Sequence, residues 1–143
     1  MRKITSAVLL RIAAMIMSVH TIGHLFNFSN WQNPNGKVPN DVIQKMQTHF
    51  LIRGRDTTMA ASFSGNGYAF FILLTLVSVI LWTFSNKKGK ESTTILLFTG
   101  FAILFLSVNE LVFFFPLVVA LSLISAILVF ISVFKIKQAV KPG

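Results

Sequence analysis

The chain has 143 residues, of which 54% are hydrophobic, 15 are phenylalanine and only 12% are charged, and its mean hydropathy is +0.73. A water-soluble domain of this length needs more polar side chains to cover its surface, so the composition indicates an integral membrane protein. The absence of cysteine excludes disulfides, thiolate metal sites and thiol nucleophiles.

Four stretches are apolar for long enough to cross a hydrocarbon layer of about 30 Å, which takes about 20 helical residues. They cover approximately residues 4–26, 60–84, 93–112 and 117–134. Arg11 interrupts the first stretch, and we expect its long side chain to extend back to the lipid headgroups. We therefore predict an all-α fold in which residues 1–143 form a single integral membrane domain, a bundle of four transmembrane helices.

The connection after the first span, residues 27–59, is long and polar. Within it, four residues follow one another at intervals of three to four positions, the period of a helix: Val42, Met46, His49 and Arg53. Asn40 or Asp41 can cap the start of a helix here, and Gly54 can end it. This pattern predicts a short amphipathic helix that lies at the membrane interface in the first external loop.

The two later connections are short. The segment SNKKGKES is a polar turn between the second and third spans, and only FFFP separates the third from the fourth. Pro116 suits the first turn of a helix, where its missing N–H costs nothing. The last two spans should therefore form a tight antiparallel hairpin.

The distribution of cations predicts the orientation. In a four-span arrangement most of the 13 lysines and arginines lie on one side of the membrane: Arg2, Lys3, Arg11, Lys87, Lys88, Lys90, Lys135, Lys137 and Lys141. The other side receives Lys37, Lys45, Arg53 and Arg55. Because cytoplasmic loops are enriched in lysine and arginine, both termini are predicted to be cytoplasmic. The net charge of +9 is then a topology signal that also attracts anionic lipid, and it does not require nucleic-acid binding.

Counting along the helices brings several polar side chains to one level. At about 1.5 Å per residue, His20 and His24 lie about 24 and 30 Å from the inner end of the first helix, and Glu110 lies about 26 Å along the third. Asn66 stands where the second span enters the membrane from the same side, and His49 stands on the predicted external helix. We therefore predict a polar cluster in the outer leaflet. Its candidate ligand-binding residues are His20, His24, His49, Arg55, Asn66 and Glu110.

The spacing of His20 and His24 leaves three interpretations open. Residues at i and i+4 share a helical face, so the two rings can simply form hydrogen bonds at the headgroup level. They can also bind an organic or lipid ligand. The same spacing allows one helix to give two nitrogens to a metal ion or a haem iron, with His49 and Glu110 as further ligands. No His-Glu-x-x-His motif supports the metal interpretation, and no metal site is predicted.

Glu110 needs a partner if it lies inside the membrane, because an unpaired carboxylate is costly there. The cations available at its depth are Arg53, Arg55, His20, His24 and His49. The segment RGRDTT has two interpretations. It can form an anion-recognising loop through its arginines, or Asp56 can cap the second span.

The segments RIAAMIMSVHTIGH and MQTHFLIRGRDTTMAASFSGNGYAFFILL carry a resemblance. His20, Gly23 and His24, followed later by His49, Phe50, Gly54 and Arg55, resemble the pattern of small uncharacterised bacterial four-span integral membrane proteins. The resemblance covers nearly the whole chain. It implies a four-span fold and an address in the bacterial cytoplasmic (inner) membrane, but no settled activity and no catalytic residue.

These observations favour a non-catalytic multi-pass membrane module that binds a lipid-like or small amphipathic ligand, or a partner membrane protein, through the outer-leaflet polar cluster. Because four short helices bury little interior, we expect a homo-oligomer or an accessory subunit of a larger membrane complex. The alternative is a small membrane enzyme that uses His20, His24 and Glu110 around a metal or as acid and base. A proton-coupled transporter is disfavoured because no span carries a polar group near its middle.

Overall fold

The computed structural model describes residues 5–33, 35–36, 38–87 and 89–140, with Val140 described by its backbone alone. This part of the chain forms helices α1 (Ser6–Ser29) and α2 (Asn40–Met46), strands β1 (His49–Ile52) and β2 (Arg55–Thr58), and helices α3 (Met59–Phe84), α4 (Lys90–Phe113) and α5 (Pro116–Val140). Ile4, the predicted start of the first span, lies outside the described residues. So do several of the cations used for orientation, namely Arg2, Lys3, Lys37, Lys88 and Lys141.

The helices α1, α3, α4 and α5 are long and apolar enough to cross a membrane, with 24 to 26 residues each. At a rise of about 1.5 Å per residue each exceeds the hydrocarbon thickness of about 30 Å. The prediction of four such helices is confirmed, and they are consistent with a multi-pass integral membrane protein. The observed boundaries differ from the predicted ones by a few residues at most ends. α5 extends furthest beyond its prediction.

The predicted external helix is much shorter than expected. α2 ends at Met46, and the residues after it form an antiparallel hairpin in which His49 pairs with Thr58 and Ile52 with Arg55. The prediction that His49 and Arg53 continue the helix is therefore wrong, and the fold is not purely α-helical. Helix α2 begins directly after Pro39, and neither Asn40 nor Asp41 caps it with a side-chain hydrogen bond.

The hairpin forms because of its turn and its strand composition. Arg53 and Gly54 have φ angles of 50° and 79°. Positive φ at both central residues defines the turn whose twist matches that of two paired strands, and glycine adopts it without steric cost. Phe50, Ile52 and Thr57 are residue types that favour strands. Residues with helical spacing therefore form a hairpin here because the two-residue turn is the stronger local determinant.

α3 begins immediately after the hairpin. The hydroxyl of Thr58 accepts a hydrogen bond from the backbone N–H of Ala61 at 3.0 Å. Thr58 therefore caps this helix, and the predicted cap, Asp56, instead faces His49 across the hairpin. The cap satisfies one of the backbone donors that every helix start leaves without an intrahelical partner.

The chain divides into two compact units. The first, called the Glu110 unit, contains the chain up to His20 and the chain from Leu74 onward; the second, called the His24 unit, is Thr21–Leu73. In the Glu110 unit, α4 and α5 pack against each other, and the missing side chain of Gly100 lets the side chains of Val129 and Phe130 approach the α4 backbone. The predicted hairpin of the last two spans is thus present, with Pro116 as the first residue of α5.

The interior of the Glu110 unit contains small hydroxyl side chains among leucines, valines and alanines. Ser125 and Ser132 are buried on α5, and their hydroxyls donate to the carbonyls of Leu121 and Leu128 at 2.8 and 2.7 Å. A hydroxyl that is satisfied by its own helix adds little volume, so neighbouring helices can pack closely. Ser122 lies on the same face, but its hydroxyl is directed to another helix.

Candidate functional site

A buried acid and a buried base meet in the Glu110 unit. His20 Nε2 lies 3.3 Å from Glu110 Oε1, and the two side chains are only 2% and 1% exposed. Ser122 Oγ lies 3.2 Å from the other ring nitrogen of His20, Nδ1, and Ser122 is fully buried. The three side chains therefore form a row in which the imidazole lies between a hydroxyl and a carboxyl group.

The helix hairpin explains why two members of this row are neighbours. Glu110 lies in the last turn of α4 and Ser122 in the second turn of α5, so both are close to the connection at Phe114 and Phe115. Their helices run in opposite directions from this connection, and α1 supplies His20 from a distant part of the sequence. The helical rise predicts that His20 and Glu110 lie at similar depths, and the structure brings them into contact.

Glu110 is incompletely satisfied in this arrangement. Neither of its carboxyl oxygens has a hydrogen-bond partner of standard geometry in the described part of the chain, although the hydroxyl of Ser122 is close enough to interact with the carboxyl group. The approach of His20 is close in distance but is not aligned as a hydrogen bond. A carboxyl group in such a position is costly in an apolar interior, so its oxygens are strong acceptors for any additional donor that reaches them.

Ser122 was missed by the sequence analysis. A serine within an apolar span is common and carries no signal alone. Ser122, Ser125 and Ser132, however, recur on one face of a helix whose remaining residues are almost all apolar. Such a small polar face marks the side of a membrane helix that packs on other helices, and it could have predicted that Ser122 points inward.

His24 has a different environment in the His24 unit. Its Nε2 lies 3.3 Å from the carbonyl oxygen of Gly67, to which it donates a hydrogen bond. The ring is parallel to that of Phe28 at 6.0 Å and meets the edge of Phe70 at 4.8 Å. His24 is therefore held by aromatic packing and by one backbone acceptor.

Further aromatic rings surround Phe28 and form, with His24 and Phe70, an aromatic cluster. The ring of Phe28 contacts Tyr68 at 5.2 Å and Phe63 at 5.8 Å, and Phe63 contacts Trp31 at 4.9 Å. Phe28 is buried, and it fills the space where a side chain at Gly67 would stand. Tryptophan and tyrosine are enriched where membranes meet water, which is consistent with a cluster near the ends of two long helices.

The remaining candidate residues lie on exposed surfaces of the His24 unit. His49 Nδ1 is 3.1 Å from both carboxyl oxygens of Asp56, but the two side chains are 73% and 64% exposed. Arg55 is exposed at the start of β2, and Asn66 is exposed on α3. An exposed pair such as His49 and Asp56 contributes at most about 1 kcal/mol to stability.

The structure provides no support for a metal site in its described part. No group of three or more histidine, cysteine, aspartate or glutamate side chains there could hold a metal ion. Nε2 of His24 is already used by Gly67, and His20 lies between Glu110 and Ser122. The interpretation in which His20 and His24 bind one metal or haem iron therefore rests on their sequence spacing alone.

Arg11 has partners within the protein, and its extension to the lipid headgroups stays a prediction. Its Nη2 donates to Asn86 Oδ1 at 3.2 Å, and its Nε donates to Ser85 Oγ at 3.4 Å. The guanidinium carbon lies 5.6 Å from the ring centroid of Trp82. Because all three partners are neutral, the positive charge of Arg11 is oriented by them without being neutralised.

Comparison of the chain with protein-family models, with curated proteins and with solved structures found no match.

Proposed function

We propose that this protein is a non-catalytic multi-pass membrane module that binds a small amphipathic ligand at Glu110. The observation that supports this function best is the contact of the buried Glu110 with His20. Ionisable side chains are rare and costly within membrane spans, and those that occur usually serve a function. His20 supplies a base that can share a proton with the acid, and the carboxyl oxygens are left to accept a hydrogen bond.

The chemistry of this carboxyl group defines the class of ligand. Because the oxygens of Glu110 lack hydrogen bonds of standard geometry within the described residues, the ligand should carry a hydroxyl, amine or amide hydrogen on its polar group. Because the surrounding helices are apolar, the rest of the ligand should be apolar. A lipid-like molecule that enters laterally between the helices meets both requirements. Glu110 is almost fully buried, so we propose that entry requires a small separation of the helices.

The membrane setting of the proposal follows from the charge distribution. Both termini lie in the cytoplasm and α2 with the hairpin lies at the outer interface, as the distribution of lysine and arginine favours. We propose the bacterial cytoplasmic membrane as the location. In each of the four long helices, between 22% and 39% of an apolar stretch of 18 residues is buried inside the protein. The remaining surface is available to lipid, to a second copy of the chain or to a larger membrane complex.

Native mass spectrometry of protein purified in mild detergent tests the ligand. We expect wild-type protein to retain one small non-protein mass, and Glu110→Gln to reduce the retained fraction about tenfold or more, since a hydrogen bond to a charged group contributes about 1.5–3 kcal/mol. Glu91→Gln is the matched control because Glu91 is an exposed acid on the same helix. Wild-type protein without an added mass, or equal retention by Glu110→Gln, would contradict the proposal.

A second candidate function is favoured by the row of Ser122, His20 and Glu110. A hydroxyl, an imidazole and a carboxyl group are the side chains of a serine hydrolase triad, although here Nδ1 faces the hydroxyl and Nε2 faces the carboxyl group, the reverse of the usual arrangement. Ser122 Oγ would attack an ester carbonyl carbon and give its proton to His20, which would return it to the departing alcohol. Water would then hydrolyse the acyl-serine. We rank this activity below ligand binding, because Ser122 is completely buried and a substrate could reach it only if the helices separated.

A fluorophosphonate probe, which labels activated serines, tests this second function. If Ser122 is a nucleophile, wild-type protein in detergent is labelled and Ser122→Ala is not. Ser125→Ala is the matched control, because Ser125 lies on the same face of α5 but bonds to its own helix. If the protein is a binding module, as we propose, neither the wild-type protein nor the two variants is labelled. Labelling that depends on Ser122 would favour the hydrolase.

A further inference from the structure

A groove of about 280 Å³ lies between α1 and α3 within the Glu110 unit. Ala14 and Ser78 are buried at its floor, and the exposed side chains of Met15, Val79 and Trp82 form its walls. The volume is slightly below the 300–1,000 Å³ that is typical of pockets for whole small molecules. The groove therefore suits part of a long, narrow molecule.

Two of the three hydroxyl groups that line the groove, those of Ser18 and Ser78, form hydrogen bonds within their own helices. Ser18 donates to the carbonyl of Ala14 at 2.9 Å, and Ser78 donates to the carbonyl of Leu74 at 3.0 Å. Each of these two hydroxyls is satisfied by its own helix, so the surface that remains is largely hydrocarbon. An apolar chain can occupy such a surface without displacing a hydrogen bond.

A positive charge stands at one end of the groove. Arg11 packs on Trp82, which is part of the wall, and is oriented by Ser85 and Asn86. Among the ion pairs of the described residues none includes Arg11, so no carboxylate of that part of the chain neutralises its charge. The exposed Lys87 in the following turn adds to the positive potential at this end.

The distance between the charge of Arg11 and the groove is short enough for one lipid molecule to contact both. The groove residues of α1 follow Arg11 by three to seven positions, which corresponds to about 5–10 Å along the helix axis. The polar turn after α3 begins beside Arg11, so this end is the polar end. The groove then continues along apolar helices. A molecule bound here would have an anionic group at Arg11 and an apolar chain along the groove.

We propose that this groove binds an anionic phospholipid, with its phosphate on Arg11 and part of one acyl chain against Ala14, Ser18 and Val79. A guanidinium forms paired hydrogen bonds with phosphate oxygens, and basic residues beside it favour a lipid with net negative charge over a zwitterionic one. The site is separate from Glu110 and does not depend on the proposed function.

The test is native mass spectrometry of protein in micelles with equal amounts of phosphatidylglycerol and phosphatidylcholine of the same chain length. We expect wild-type protein to retain phosphatidylglycerol over phosphatidylcholine about tenfold, which corresponds to about 1.4 kcal/mol. Arg11→Gln removes this preference and Arg11→Lys keeps most of it. Lys45→Gln, the control for loss of an exposed cation, leaves the preference unchanged.

Two further variants test the groove and the independence of the site. Ser18→Phe fills the groove and lowers phosphatidylglycerol retention although Arg11 is intact, whereas Val19→Phe, at an exposed neighbouring position outside the groove, does not. Glu110→Gln leaves the lipid preference unchanged, which separates this proposal from the proposed function. The proposal is overturned by equal retention of the two lipids in wild-type protein. The proposal is also overturned if Arg11→Gln leaves the lipid preference unchanged and Ser18→Phe leaves phosphatidylglycerol retention unchanged. Displacement of the bound phosphatidylglycerol by soluble glycerol phosphate overturns it too.

Discussion

Replacing His20 by leucine is expected to lower the free energy of unfolding by about 3 kcal/mol, because it leaves Glu110 buried without its base. Leucine and histidine have similar volumes, so the change creates little cavity and mainly removes the imidazole. Glu110→Leu is expected to have a smaller effect, because an imidazole can be buried neutral more easily than a carboxylate can. The two single variants are therefore unequal although they break the same contact.

The double variant His20→Leu with Glu110→Leu is the critical comparison. Replacing a whole buried ion pair by apolar side chains is often neutral or stabilising, so we expect the double variant to be close to wild type. Reversible unfolding in bicelles gives the four free energies of the cycle. The expected coupling energy is at least about 3 kcal/mol in magnitude, because each single variant leaves an unpaired buried group, and it exceeds the average of about 0.6 kcal/mol for hydrogen bonds between membrane helices. A coupling energy below about 0.5 kcal/mol would contradict a functional pairing of these two residues.

Gly67→Ala is expected to lower the free energy of unfolding by about 2 kcal/mol, because the new methyl group overlaps the ring of Phe28. The Phe28 ring has little freedom to move, since it is buried and contacts His24, Phe63 and Tyr68. The variant also disturbs the backbone carbonyl that accepts the hydrogen bond of His24. The loss of stability should therefore affect the packing of all the rings of the aromatic cluster.

Gly65→Ala is the matched control. Gly65 lies two residues earlier on the same helix, and a side chain there meets nothing within 4 Å. Alanine favours a helix over glycine by about 1 kcal/mol, so this variant should be neutral or more stable. Trp31, which contacts Phe63, reports thermal unfolding by its fluorescence once the other tryptophan is replaced as Trp82→Phe. Equal stabilities of the two glycine variants would contradict the packing of Phe28 on Gly67.

The spans could be predicted because length and hydropathy can be read directly from a continuous stretch of sequence, without knowledge of its neighbours in space. Counting residues along a helix also placed His20 and Glu110 at comparable depths, since the helical rise is constant. The partner of each side chain could not be predicted in this way, because it depends on how each helix is rotated about its axis. His20 and His24 share a face by spacing, yet one has Glu110 and Ser122 as partners and the other has Gly67 and aromatic rings.

The hairpin shows a different reason for error. Val42, Met46 and His49 have a helical period, but that period extends by coincidence into a segment with strand-forming residues and a turn. The decisive feature is the positive φ of Arg53 and Gly54, which a helix cannot accommodate. A glycine between two short runs of apolar and β-branched residues is a hairpin signal, and it deserves more weight than a period of two helical turns.

The acid and the base of the buried pair are separated by most of the chain, and this has a consequence for membrane insertion. α1 emerges from the ribosome long before the α4–α5 hairpin. Within the hairpin the carboxyl group has the Ser122 hydroxyl beside it, and it gains the imidazole only when α1 is already present. A nascent protein whose first helix is misplaced would therefore keep this acid without its base.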